Sequence, residues 1–337
     1  MGGILIPQGE VRILSSAAVG GYEERRGPFG ECFDLCAEDD RFGQTSYELA
    51  EGEMARIALS LSLGKLALSE GALDLLLSGD LQNQCVASSQ GPACARTPFL
   101  GLFGACSTMI EGLGIGMLAL SGAEALSLVG AVTSSHNAAA ERQFRTPLEY
   151  GAQRTPTAQW TATAAGAIIL GREGGMARIT AFLPGRVTDA GIRDAANMGA
   201  AMAPSAADTL CRFFDERESG PEDYDLILTG DLGQEGSELL YTLLSGRFPT
   251  LCKCHKDGGL MLYDRTRQDV HAGGSGCGCI ASMLSAAILP EVASGRIRRM
   301  LAIGTGALMN PGSIQQGGTI AGVAHLIEIT GVSEWEK

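Results

Sequence analysis

The sequence predicts an α/β protein made of two copies of one unit, with parallel strands joined by right-handed crossovers. Three observations predict it. An eight-residue run recurs 151 residues along the chain, each copy is set in the order strand, glycine-rich turn, helix, strand, and the composition suits helices packed closely on sheets.

The repeat is Asp74-Leu-Leu-Leu-Ser-Gly-Asp80-Leu81, which returns as Asp225-Leu-Ile-Leu-Thr-Gly-Asp231-Leu232. Each copy is a short apolar run bounded by turn residues, the pattern of a strand buried on both faces. Each follows an amphipathic helical stretch. In the first half it covers 48–68, with Met54, Ile57, Ala58, Leu61 and Leu68 at helical spacing; in the second it covers 197–217, with Leu210, Phe213 and Phe214. Gly104-Ala-Cys106-Ser-Thr then introduces a helix over 109–120 and a strand over 125–132. Its counterpart, Gly273-Gly-Ser-Gly-Cys277-Gly-Cys279, introduces a helix over 280–289 and a strand over 300–303. Matching flanks make duplication the reading of choice over a chance match. Alternating strands and helices imply parallel sheets. The halves divide as 1–171 and 172–337, at Gly171-Arg-Glu-Gly-Gly175, just after the apolar strand 164–170. No Pro/Ser linker stands there, so the halves are expected to pack on each other.

Composition narrows the function classes. The 337 residues are enough for two domain-sized units. Hydrophobic residues are 45% and charged residues 19%, a globular balance, and 47 glycines with few aromatics allow backbones to approach closely. A formal charge of −13 repels a phosphate backbone, so no nucleic acid is expected as a partner. The first seven residues, ending in Pro7, are too short and too poor in basic residues for a signal peptide. The run 105–120 is apolar but contains Glu111 and several glycines, and it falls short of the ~20 residues a bilayer needs. It reads as a core helix. Ten cysteines (32, 36, 85, 94, 106, 211, 252, 254, 277 and 279) are then expected as reduced thiols in a cytosolic compartment.

Cys106 is the chemical centre of this reading. A thiol at a helix start faces unpaired N–H groups and the positive end of the helix dipole, which favours thiolate. Gly104 and Ala105 permit a sharp strand-to-helix turn. The competing reading, a small buried hydrophobe, has equal standing from position alone. Ser134-Ser135-His136-Asn137 follows a strand, at the carboxyl end where such sheets bind ligands, against a capping turn with a solvated histidine. The segment 138–160 is long for a loop and carries Arg142, Gln143, Arg145, Tyr150, Arg154 and Trp160. Its arginines form an anion-attracting patch, or pair on the surface with Glu141 and Glu149. The turn from His271 to Cys279 is glycine-rich but lacks the lysine of a phosphate loop; its value is that the repeat sets it opposite Cys106. Cys252-Lys-Cys254-His255 has some of the ligands zinc needs, yet buried thiols are the favoured reading and no metal is expected.

These residues together resemble the thiolase superfamily, which includes thiolases and ketoacyl-acyl-carrier-protein synthases. The resemblance rests on Gly104-Ala-Cys-Ser-Thr108, Ser134-Ser-His-Asn137, Gln143-Phe-Arg145 with Glu149-Tyr-Gly151, and Pro156-Thr-Ala-Gln-Trp160. The strand 164–170, the segment Asp269-Val-His-Ala-Gly-Gly-Ser-Gly-Cys-Gly-Cys279 and Gln315-Gln316 complete it. Within the superfamily the match is closest to a sporulation family of spore-forming bacteria. The resemblance implies a thiolase-like five-layer αβαβα fold and a homodimer. It implies binding of dipicolinic acid (pyridine-2,6-dicarboxylate), with or without calcium, and its uptake into the developing spore. Membrane proteins of the same operon are the implied partners, at the cytosolic face of the spore inner membrane. No cofactor is implied.

The departures bear on chemistry. Condensation needs a nucleophilic cysteine plus two groups that activate the donor and stabilise the enolate. Cys106 takes the nucleophile position, and His271 resembles the histidine of the thiolase Gly-His-Pro motif with spacing one residue short. The synthases' His-Gln-Ala-Asn motif is replaced by Thr229-Gly-Asp231-Leu-Gly233, and Ala302-Ile-Gly-Thr-Gly306 lacks the second thiolase cysteine. The expected site therefore holds a ligand between Cys106, Ser135, His136, Asn137, Arg142, Asp231 and His271. The alternatives are an acyltransferase acting on acyl-coenzyme A or acyl-carrier protein, with Cys106 as nucleophile and His271 as base, and an assembly scaffold.

Overall fold

The computed structural model describes residues 3–140 and 153–332, Cys94 without its side chain. The first half contributes strand β1 (Arg12–Gly20), helix α1 (Tyr47–Gly64), β2 (Leu75–Gly79), β3 (Phe99–Leu102), α2 (Thr108–Gly122), β4 (Val129–Ser135) and β5 (Ala164–Gly171). The second contributes β6 (Ala177–Leu183), α3 (Met198–Arg217), β7 (Leu226–Thr229), α4 (Gly233–Leu244), β8 (His255–Asp257), α5 (Cys277–Ala293, with a π turn over Leu284–Ile288), β9 (Arg299–Leu308) and β10 (Ala321–Gly331). With the short helix Val86–Gln90 between β2 and β3 standing where α4 stands between β7 and β8, the order is the same twice over, as the repeat predicts.

The strands run β3-β2-β4-β5-β1 in one half and β8-β7-β9-β10-β6 in the other. A short antiparallel pairing, Arg12↔Arg178 and Ile13↔Ala177, stitches β1 to β6 and joins the two sheets edge to edge. The expectation of parallel sheets holds only for β2, β3 and β4 and for their counterparts β7, β8 and β9. β5 lies antiparallel to both β4 and β1, and β10 to both β9 and β6. Only the five-residue helix Pro311–Gln315 lies in the return from β9 to β10, too short for a crossover, so the chain doubles back antiparallel.

Five layers result. α2 and α5 form the central one, and α2 packs on β4 and β2 on one side and on β9 and β10 on the other. α1 covers the outer face of the first sheet with Met54, Leu59 and Leu63 on Leu76, Val132 and Ile169. α3 covers the second with Met202, Leu210, Phe213 and Phe214 on Ile227, Leu301 and Leu326. The stretch Ala105–Gly122 is long and apolar enough to cross a membrane, but most of it is buried between the sheets. It is a core helix, as expected. Small residues let α5 approach: a Cβ on Gly166 of β5 would lie 2.4 Å from the backbone of Ala281.

The repeated aspartates explain why that motif is legible. Asp74 accepts from the backbone N–H groups of Ser127 and Leu128, at the entry to β4. Asp225 accepts from those of Arg298 and Arg299, at the entry to β9. Each thus fixes the register of a neighbouring strand, and accepting two N–H bonds holds both carboxyls below their ordinary range.

Candidate functional site

β3 ends at Leu102, and the chain turns through Gly104 and Ala105 into a 3-10 turn, Ala105–Ser107, that opens α2. Ala105 takes φ +52°, a left-handed conformation that costs a residue with a Cβ about 1 kcal/mol. Local bonds hold it there. The Ser107 hydroxyl donates to Gly104 O at 2.6 Å, the Thr108 hydroxyl to Ala105 O at 2.6 Å, and Gly104 N–H to Thr108 Oγ1 at 3.1 Å. The elbow leaves Cys106 only 5% exposed, in the wall of a cavity of about 620 Å³.

The second half closes around the thiol. Beyond β7 the chain places Asp231, fully buried, beside Cys106. Its carboxyl accepts from Thr305 Oγ1 (2.7 Å) on β9, and from Ser275 Oγ (2.9 Å) and Gly276 N–H (2.9 Å) at the start of α5. Gly276 takes φ +107°, and a Cβ there would meet Ser135 Oγ at 2.5 Å. Ser275 also stands 3.7 Å from Cys106 Sγ. The short strands Trp160–Thr161 and Gly274–Ser275 pair parallel beneath this cluster. Gln159 ties them together, its Nε2 donating to Asp231 O at 2.7 Å and Gly274 O at 2.8 Å.

Of the two readings of Cys106, this environment favours the buried, protonated thiol. Burial pushes the Cys106 thiol well above its ordinary value, and the neighbouring Asp231 carboxyl pushes it further. The helix-start position is outweighed because the first turn is a 3-10 turn with its polar groups spent locally and a carboxyl faces the sulfur. Burial also pushes the Asp231 carboxyl up, opposed by the donors around it.

The cavity is walled by Leu81, Phe103, Ala158, Met198, Leu308 and Ile314, with Asn83, Arg154, Gln159 and Asn310 among its polar groups. Arg154 is held from behind. Its guanidinium pairs with Asp269 Oδ2 at 2.8 Å and lies 4.9 Å from the Trp160 ring centre, and its Nη1 has no partner among the described residues.

The expected site residues scatter. Cys106 and Asp231 come together. His271 does not join them: its Nδ1 lies 2.6 Å from Thr155 O and its Nε2 2.9 Å from Asp269, and Ser275, four residues on, takes the place beside the thiol. The Cys106–His271 pair of the alternative, acyltransferase reading is not formed in this structure, where His271 is held by Thr155 and Asp269. Ser135 and His136 are buried away from the cavity wall. The Ser135 hydroxyl donates to Ala162 O, and His136 Nε2 bonds Asp40 O at 2.8 Å with its ring on Tyr47. Burial holds the His136 imidazole below its ordinary value. Asn137 opens the short helix Asn137–Ala140, its N–H donating to Thr163 Oγ1. Arg142, with Gln143, Arg145 and Tyr150, lies outside the described residues. None of the four histidines lines the cavity.

The other cysteine motif is separately engaged. His255 bonds Thr229 and Tyr241, Cys254 lies against Pro221 O, and Cys277 and Cys279 lie against Ser134 O and Gly230 O. Among the described residues no group of three or more His, Cys, Asp or Glu side chains is placed to hold a metal ion. Ser275, Gln159 and Thr305 were not singled out by sequence, since neutral side chains in apolar runs carry no signal of their own.

Comparison with known proteins agrees with this geometry. Residues 5–330 match the family model for stage V sporulation protein AD (SpoVAD). The chain is 41% identical over 314 residues to the stage V sporulation protein AD of Bacillus subtilis (strain 168), covering 93% of this chain and 92% of that one. Among solved structures it is similar to human mitochondrial 3-ketoacyl-CoA thiolase in complex with CoA, with TM-score 0.61 and 11% identity over 98% of this chain and 100% of that one. It is also similar to 3-oxoacyl-[acyl-carrier-protein] synthase III from Aquifex aeolicus VF5, with TM-score 0.54 and 13% identity over 96% and 99% of the two chains. At such identities the two enzymes speak for the fold alone, a thiolase-like one. With the family model spanning nearly the whole chain, the protein belongs to the stage V sporulation protein AD family.

Proposed function

We propose that this sporulation protein binds dipicolinic acid in the cavity beside Cys106, without transforming it, and so supports its uptake into the developing spore. The observation that carries the reading is a cavity of about 620 Å³ whose cysteine has no basic partner among the described residues and whose lining includes a braced arginine, its Nη1 without a partner among them. That volume lies within the range of small-molecule pockets, about 300–1,000 Å³. Arg154 suits a carboxylate, since Asp269 and Trp160 fix its plane before any ligand arrives. Leu81, Phe103 and Met198 supply apolar surface for a flat ring. In the same reading the chain acts as a homodimer, takes dipicolinate with or without calcium, and docks on the membrane proteins of its operon at the spore inner membrane.

Titration calorimetry of the purified protein with dipicolinate tests this, with benzoate as a one-carboxylate comparison. Binding is expected, and Arg154→Ala should weaken it about 10- to 100-fold, the worth of one charge-assisted hydrogen bond. Absence of heat with the wild-type protein would overturn the reading. So would an acyl group found on Cys106 and turned over after incubation with acyl-coenzyme A.

A further inference from the structure

We propose that Asp231 is a silencing residue: it takes the Cys106 thiol as a hydrogen-bond donor and so keeps the cavity from attacking what it holds. The inference rests on the binding reading above and gives it a mechanism.

The geometry carries it. The two carboxylate oxygens of Asp231 receive Thr305 Oγ1 at 2.7 Å, Ser275 Oγ at 2.9 Å and Gly276 N–H at 2.9 Å, and Ser275 Oγ in turn stands 3.7 Å from Cys106 Sγ. Every neighbour on that list donates, so the arrangement is built for an acceptor at Asp231 and not for a base with a lone pair to spare. No cationic side chain bonds to either Cys106 or Asp231 among the described residues. The pair is a coupled acid. A thiolate would place a negative charge beside the buried Asp231 carboxyl, which disfavours it. The two halves of the chain spend several groups on this. Gly276 adopts φ +107° to aim its N–H at Asp231, Ser275 stands between carboxyl and sulfur, and Thr305 closes the third side from β9.

Removing the charge while keeping the shape should reverse the effect. In Asp231→Asn the side chain keeps an oxygen for Thr305 or Ser275 and no longer opposes a charge on sulfur. Reaction with iodoacetamide reads this out at each cysteine by peptide mass spectrometry. The thiol proton leaves to water, the S–C bond forms as the C–I bond breaks, and iodide departs. Iodoacetamide is neutral and compact, and Cys32 and Cys252, both exposed, serve as internal references.

In the wild-type protein, Cys106 at pH 8 should label at least tenfold more slowly than Cys252, with a pH midpoint above those of both references. In Asp231→Asn, Cys106 should label at least tenfold faster than in wild type and its midpoint should move down, while Cys32 and Cys252 stay unchanged. Asp231→Ser gives a second neutral replacement if the asparagine variant fails to fold. Wild-type labelling of Cys106 at the pace of Cys252 would overturn the inference without any variant. A folded neutral variant no faster than wild type would overturn it equally. Calorimetry separates this from the binding reading: no heat with dipicolinate defeats that reading and leaves the labelling result standing, whereas fast wild-type labelling with binding intact defeats this inference alone.

Discussion

Glu24→Gln is the perturbation for which the structure yields the firmest magnitude. Glu24 is buried on the short helix Tyr22–Arg25, and its Oε1 accepts from Thr163 N–H at 3.0 Å and from the Tyr263 hydroxyl. It therefore links Thr163, just before β5 of the first half, to Tyr263 of the second. Its Oε2 has no partner among the described residues. Burial raises the carboxyl from its ordinary 4.5 to about 7, and the charge of Asp40 adds to the rise. Between those two values the folded chain keeps a proton that the unfolded chain has released. Stability is then fully present below pH 4.5, falls as pH climbs to about 7, and levels off above. The total is about 3 kcal/mol, of which about 2.5 kcal/mol falls between pH 5 and pH 8. A glutamine keeps the acceptor for Thr163 and Tyr263 and cannot ionise. Urea unfolding at pH 5 and pH 8, followed by circular dichroism, should show the wild-type protein losing about 2.5 kcal/mol more than the Glu24→Gln variant across that interval. The other raised carboxyls, Glu51 at about 8, Asp257 at about 7, and Asp80, Glu111 and Asp231, are present in both proteins and cancel in the difference. Equal losses in the two proteins would refute the assignment of a buried, proton-holding Glu24.

Two further outcomes follow from geometry already described. Gly276→Ala combines a left-handed φ with a 2.5 Å contact to Ser135 Oγ and should cost at least about 2 kcal/mol in thermal or chemical unfolding, whereas Gly246→Ala, with open space around it, should be nearly neutral. The proposed homodimer has a ready seam at the outermost strand β3, where Phe99 and Leu100 are exposed on an unpaired edge and Phe103 follows them. Light scattering should give twice the mass of one chain, and Leu100→Lys should halve it.

The duplicated architecture is legible because the repeated run does the same work twice. Asp74 and Asp225 each fix a strand entry, and the apolar residues between the aspartates are buried on both faces of a sheet. Strand direction was not legible at the fully buried β5 or the largely buried β10, since a buried strand has the same apolar composition whichever way it runs. Cys106 and its elbow could be read from Gly104, Ala105 and the apolar run after them. Of its neighbours, Asp231 was among the expected site residues and Ser275 was not. His271 has the right residue type in nearly the right place, yet its positive φ turns the chain so that Ser275 arrives at the thiol. His136 looked available for a ligand because its partner, the Asp40 carbonyl, is a backbone group 96 residues away. Arg154 was one of several arginines in a long polar segment until Trp160 and Asp269 distinguished it.

The stitch between β1 and β6 also decides how anything small gets in and out. Two lobes joined along a sheet edge and clamped over shared helices cannot swing apart like the shells of a bivalve. Passage then falls to the cavity's own lining, to which Ala195, Ala196, Met309, Asn310 and Pro311 belong. Exchange is thus set by a few lining side chains, and its tempo answers to substitutions there while the frame behind stays still.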